Sequence, residues 1–85
     1  MLDSLKSTPR VVGVKQTRKV VLAGEAQTVF VARDAEARVV QPVLAACEQA
    51  GVPVTWAETM AELGAACGIE VGAAVAAIQL TSDNG

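Results

Sequence analysis

The chain has no histidine and no tyrosine, and its only aromatic residues are Phe30 and Trp56. Without histidine it lacks the side chain that most often moves protons or ligates metals near neutral pH. Cys47 and Cys67 are its only cysteines, too few and too widely spaced for a metal site. Together with Asp34 and Glu70 they form no recognisable nucleophile–base pair. An enzyme is therefore not expected, nor is a cofactor or metal. Spacing alone does not exclude a disulfide, but a cytosolic chain seldom keeps one, and both cysteines read as small buried hydrophobes.

No apolar run reaches the roughly 18 residues that a membrane span needs. The opening Met1-Leu2-Asp3-Ser4-Leu5-Lys6 has no signal-peptide apolar region, so a cytoplasmic location is expected. With 85 residues, the chain makes one small domain, residues 1–85, with an ordered core over about 4–80. Hydrophobic residues make up 52% of it, mostly Ala and Val, so thin layers must pack around small aliphatic side chains.

Basic residues are missing from the whole second half. All seven Lys and Arg lie within the first 38 positions, where Asp3, Glu25, Asp34 and Glu36 leave a net charge of +3. Residues 39–85 carry Glu48, Glu58, Glu62, Glu70 and Asp83 and no cation, a net of −5. The overall charge of −2 would argue against a nucleic-acid partner, but affinity follows the local field rather than the average.

The expected element order is α-β-α-β-α-β-α-β. Leu2–Ser7 can form a short helix that Pro9 ends, and Arg10–Gly13 reads as a strand. Val14–Ala23 reads as a helix stopped by Gly24. On it Lys15, Arg18, Lys19 and Leu22 share one face, while Val14, Thr17, Val20 and Val21 turn to the core. The continuous apolar run Gln27–Ala32 predicts a strand buried on both faces. Asp34 is expected to cap the turn before the next helix. That helix ends at Ala50 before Gly51, with Val40, Val43, Leu44 and Cys47 on its core stripe. Pro42 fits only a first helical turn, so a looser turn is expected before Gln41.

Val52–Trp56 is the next predicted strand, and Thr59-Met60-Ala61-Glu62 has the form of a capping box. The short helix it opens should bury Met60, Leu63 and Cys67. Gly68–Gly72 is a loop, Ala73–Leu80 a last strand and Thr81–Gly85 a polar tail. Phe30 and Trp56 are expected in the core. The alternation predicts an α/β fold, a three-layer α/β/α sandwich around a four-stranded mixed sheet.

Two segments are candidates for function. Gly13–Lys19 places Lys15, Arg18 and Lys19 beside a helix N-terminus, whose free N–H groups already favour anions. Lys15 and Gln16 can reach base edges, and Arg18 and Lys19 can clamp phosphates; equally, the segment reads as an ordinary solvated helix face. Leu63–Ala74 repeats glycine every four residues at Gly64, Gly68 and Gly72. It lacks the Gly-Lys-Ser/Thr of a phosphate-binding loop, and it is too short and too charged for a membrane dimerisation stripe. It reads either as a plain tight connection or as a loop whose glycines let a ligand approach, with Ile69 and Val71 exposed at the tip to pack on an unstacked base.

Taken together, Gly13–Lys19, Val31–Ala35, Gly51–Val54 and Leu63–Ala74 resemble the ribosomal protein L7Ae/L30e family, and within it the small bacterial YbxF/YlxQ-type members. The likeness spans about residues 4–80. It implies the same sandwich fold and binding of kink-turn RNA, a duplex sharply bent at a bulge next to tandem sheared G·A pairs. By this resemblance Gly13, Val14, Lys15, Gln16, Arg18 and Lys19 enter the bent groove. Ile69, Glu70, Val71 and Gly72 pack against a flipped-out nucleotide, and Arg33 and Lys6 add positive charge. Archaeal and eukaryotic members carry Asn-Glu where this chain has Lys15-Gln16. A glutamate there can accept from a base amino group, Lys15 can only donate, and Gln16 can do either.

The implied partner is a structured RNA containing a kink-turn, ribosomal RNA among the candidates, and a cytoplasmic monomer is expected, on the ribosome or apart from it. The alternative is a protein-interaction module of the same fold that presents Ile69 and Val71 to a protein and binds no RNA selectively.

Overall fold

The computed structural model describes residues 9–80. The predicted helix Leu2–Ser7, Lys6 and the polar tail lie outside the described residues. Seven elements follow in the expected order: β1 Arg10–Val12, α1 Val14–Leu22, β2 Ala26–Ala32, α2 Ala37–Ala50, β3 Val54–Ala57, α3 Met60–Ala66 and β4 Val75–Gln79. The four strands form one sheet in the order β1-β4-β2-β3. β4 is antiparallel to both β1 and β2, and β2 runs parallel to β3, so the sheet is mixed, as expected.

Side-chain alternation along the central strands divides the core in two. Val29, Val31, Val75 and Ala77 face α1 and α2 and pack on Val20, Val21, Val40, Val43, Ala46 and Cys47. Phe30, Ala32, Ala76 and Ile78 face the other way, onto Leu63 and Cys67 of the α3 side. Strand β2 is thus covered on both faces, which is why its sequence shows no polar alternation. Both cysteines are buried free thiols, and burial raises the pKa of each. Beside Cys67 the positive charge of Arg10 offsets part of that rise.

Helix ends follow the local signals. At Gly24 the N–H donates to the Val21 carbonyl and the N–H of Glu25 to that of Val20, the two bonds of a Schellman cap. Gly51 ends α2 in the left-handed conformation. The Thr59 hydroxyl accepts from the Glu62 N–H at 3.0 Å, as the capping box requires.

Three expectations are corrected. First, α2 begins at Ala37, which puts Pro42 in its second turn with no looser turn before it. Proline removes the donor that would serve the Arg38 carbonyl, but Arg38 is exposed, so water can take that place. The buried Val40 holds the residues ahead of Pro42 in helical register against the core. Second, Trp56 is not a core residue: it is 44% exposed. It lies near the end of β3, which among the described residues is an edge strand with a neighbour on one side only. Third, Asp34 does not cap α2. Its Oδ1 accepts from the Met60 N–H at 2.8 Å, and so caps α3.

Candidate nucleic-acid interface

Strands β1, β2 and β3 all finish, and β4 begins, at the same end of the sheet. The register shows this directly: Val12 pairs with Ala76, Val31 with Val75 and Ala32 with Ala57. Both candidate segments therefore meet there, although more than 40 residues separate them in sequence.

Gly13 turns the chain from β1 into α1. Its N–H donates to the Val75 carbonyl at 3.0 Å, and its carbonyl accepts from Thr17 N–H at 3.0 Å. Its φ of +104° is one that side chains rarely adopt. Glycine also leaves this helix end without a side-chain cap, and the first turn of α1 holds no acidic residue. The N–H groups of the first turn thus remain available, with the positive end of the helix dipole behind them. Lys15 and Gln16 stand exposed beside them, and Arg18 and Lys19 continue along the solvent face. Val14 is half-buried, and Thr17 is fully buried with no hydrogen-bond partner for its hydroxyl among the described residues. Among the described residues, Lys15, Arg18 and Lys19 form no ion pair.

The glycine-rich segment leaves α3 through a second Schellman cap. Gly68, with φ +82°, donates to the Ala65 carbonyl, and Ile69 N–H donates to that of Gly64. The chain then folds back over α3. A Cβ on Gly64 would overlap the Val71 carbonyl, and one on Gly72 would press against Met60. Gly64 and Gly72 thus allow the loop to approach its own helix, a use of glycine that does not require a ligand. Ala73 N–H donates to the Met60 carbonyl at 3.0 Å, and the Ala74 carbonyl accepts from Ala32 N–H at 2.9 Å.

Held this way, the segment presents Val71 at 70% exposure and an exposed Glu70. Ile69 departs from expectation: it is half-buried and packs on the core around Leu63 and Cys67. As the residue after the left-handed glycine, it makes the hydrophobic contact that usually accompanies such a cap. Only Val71 is a freely exposed apolar tip.

The segment emerges at β4, between β1 and β2, so the α1 N-terminus stands on one side and the 33–36 turn on the other. Adjacent strands lie about 4.8 Å apart, so these two flanks are roughly 10 Å from each other. Arg33, on the far flank, is turned outward. Its guanidinium carbon lies 5.7 Å from the Trp56 ring centroid, and its Nε 3.6 Å from Glu58 Oε2. Both contacts are exposed and so hold Arg33 weakly. Sequence reasoning missed two side-chain bonds beside this surface, from Arg10 to the Cys67 carbonyl and from the Met60 N–H to Asp34, because each reaches backbone far away in the chain.

A family model for the ribosomal protein L7Ae/L30e/S12e/Gadd45 family matches residues 2–84. The chain belongs to this family. An RNA-binding protein of Caldanaerobacter subterraneus is 52% identical over 68 residues, 80% of this chain and 83% of that one. The RNA-binding protein YbxF of Geobacillus stearothermophilus is 48% identical over the same shares. Among solved structures, the 15.5kD RNA-binding protein of Giardia lamblia superposes with a TM-score of 0.87 at 30% identity, over 95% of this chain and 72% of its own. Family membership and this neighbour agree with the sandwich fold expected from the sequence.

Proposed function

We propose that the chain is a non-enzymatic RNA-binding protein that recognises kink-turn motifs, acting as a cytoplasmic monomer on ribosomal or other structured RNA. The observation that carries the reading is the junction of the two candidate segments. An uncapped helix N-terminus rich in cations starts where β1 ends, and the glycine-rich loop with its one exposed apolar residue runs into β4 beside it, where the Gly13 N–H donates to the carbonyl of Val75, the first residue of β4. The names of the RNA-binding relatives support the coarser half of the proposal, the charge pattern supports the polarity of the surface, and the fold supports its shape.

In this reading the first-turn N–H groups and Lys15 meet the guanine edges and phosphates of the G·A pairs. Gln16 serves as donor or acceptor to a base. Arg18 and Lys19, along the helix, neutralise phosphates and offset the cost of bending the duplex. Val71 packs on the flipped-out nucleotide. Ile69 supports it from beneath, while Glu70 and Gly72 shape its surroundings. Arg33 reaches the RNA by letting go of its exposed partners. The acidic second half confines binding to this end of the molecule.

The test is a titration of purified protein into a short kink-turn duplex in magnesium, beside a control whose tandem G·A pairs are replaced by Watson–Crick pairs. The expected result is tight binding to the first and weak, salt-sensitive binding to the second. Equal, weak binding to both would reject kink-turn recognition and favour a protein partner for this surface.

A further inference from the structure

Arg10 lies on β1, three residues before Gly13, and Cys67 lies two residues before Ile69. The Arg10 guanidinium bridges them: Nε donates to the Cys67 carbonyl at 3.1 Å, and Nη2 donates to the same oxygen. Cys67 closes the C-terminus of α3, where unpaired carbonyls gather the negative end of the helix dipole. No basic residue stands in the last turn of α3 itself. The cation therefore comes from another element, 57 positions away in the chain.

Among the described residues β1 is an edge strand, bonded to β4 alone, and α3 packs on one face of the sheet. The two arms of the candidate interface thus depart from elements that are not hydrogen-bonded neighbours. The loop has backbone anchors at its far end, at Ala73 and Ala74, and the Schellman cap fixes its start only relative to α3. Arg10 ties that start to the strand that leads into α1.

We propose that Arg10 is a positioning residue for RNA recognition: by gripping the Cys67 carbonyl it sets the Ile69–Gly72 loop in register with the α1 N-terminus. The inference rests on the kink-turn reading for its functional consequence, though not for the grip itself. A guanidinium occupied in this way does not count among the phosphate contacts, which separates its role from that of Arg18 or Lys19. Loss of a charge-assisted hydrogen bond of this type predicts at least about a tenfold effect.

The experiment compares wild type with Arg10→Met, which removes the donors, and Arg10→Lys, which keeps the charge but not the two-donor fork. Amide hydrogen exchange of residues 68–74 is measured in the free protein, and kink-turn affinity at several salt concentrations. For Arg10→Met, loop exchange should rise about tenfold while β2 amides stay protected. Affinity for the kink-turn duplex should fall about tenfold at an unchanged salt slope, and binding to the control duplex should not change. Arg10→Lys should fall between the two, and it decides alone if Arg10→Met does not fold; wild-type loop exchange in that variant would then overturn the two-donor grip.

Unchanged loop exchange in a folded Arg10→Met would overturn the grip. A loosened loop with unchanged affinity would overturn its role in recognition. A salt slope reduced by about one would show that Arg10 meets a phosphate directly, which also overturns the proposal. If the wild type itself does not discriminate the kink-turn duplex, the functional reading fails together with this role in recognition, while loop exchange in the free protein still decides the grip.

Discussion

Gly64 lies directly beneath the carbonyl oxygen of Val71, so closely that a Cβ at position 64 would overlap it. The contact joins the middle of α3 to the most exposed point of the glycine-rich loop. Gly64→Ala forces either the helix or the loop to shift. Overpacking of this kind costs about 1–3 kcal/mol. The expected outcome is a lower denaturation midpoint and, if Val71 packs on RNA as proposed, weaker RNA binding. A midpoint and an affinity both equal to wild type would contradict this contact.

Asp34 reaches across from the β2 end to cap α3 at Met60. Asp34→Ala removes the acceptor and should destabilise by about 1 kcal/mol, the usual loss for a helix cap. Asp34→Asn keeps an acceptor oxygen and should stay close to wild type. Chemical denaturation of the three proteins checks both statements.

Lys19 projects into solvent from α1 and pairs with no described carboxylate. If it neutralises a phosphate, Lys19→Ala should weaken binding and reduce the slope of log affinity against log salt by about 0.7–1. The thermal midpoint should barely move, since Lys19 makes only a weak favourable contact with the C-terminal end of its helix. An unchanged slope would remove Lys19 from the interface.

Thr17 is fully buried, and its hydroxyl finds no partner among the described residues. Valine has nearly the same shape without the polar atom. Thr17→Val should therefore raise stability by about 1 kcal/mol, because the burial cost of an unpaired hydroxyl disappears. Denaturant melts read the sign directly.

Burial raises the pKa of Cys47 and Cys67 in the folded state. The unfolded chain loses these protons near the ordinary thiol value of about 8.5, before the folded chain does. The unfolded state then binds fewer protons, so stability is fully present below that pH and falls as pH rises above it. Cys47→Ala flattens the alkaline fall and, independently, costs stability through the cavity it leaves. Thiol titration should show both cysteines unreactive in the folded protein at neutral pH and reactive after unfolding.

Much of the fold is legible in the sequence because the signals involved are local. The caps at Gly24 and Gly51 and the Thr59–Glu62 box act within one helical turn. The faces of α1 follow from helical spacing, and the unbroken apolar run of β2 announces a strand covered on both sides. The exposure of Trp56 is not legible in the sequence, because composition favours burying a lone tryptophan while its exposure depends on β3 being the edge. At Pro42 the local preference for a first helical turn yields to the core burial of Val40. The burial of Ile69 is hidden in the sequence, because nothing in its neighbours reveals that the loop folds back over Gly64.

The residues that could serve as an interface are marked in the amino-acid order alone: the cation-rich helix start, the glycine-rich loop and the separation of charge between the two halves. These are properties of residue type and short-range spacing, and they persist in any arrangement of the elements. Tertiary packing alone brings the two segments to the same end of the sheet, turns Arg33 outward, and joins Arg10 to the Cys67 carbonyl and Asp34 to the Met60 N–H. Those facts depend on the strand order β1-β4-β2-β3, which brings the end of β1 against the start of β4. That order is set by the joint burial of both faces of the sheet, a condition on the whole chain that no local stretch of sequence encodes.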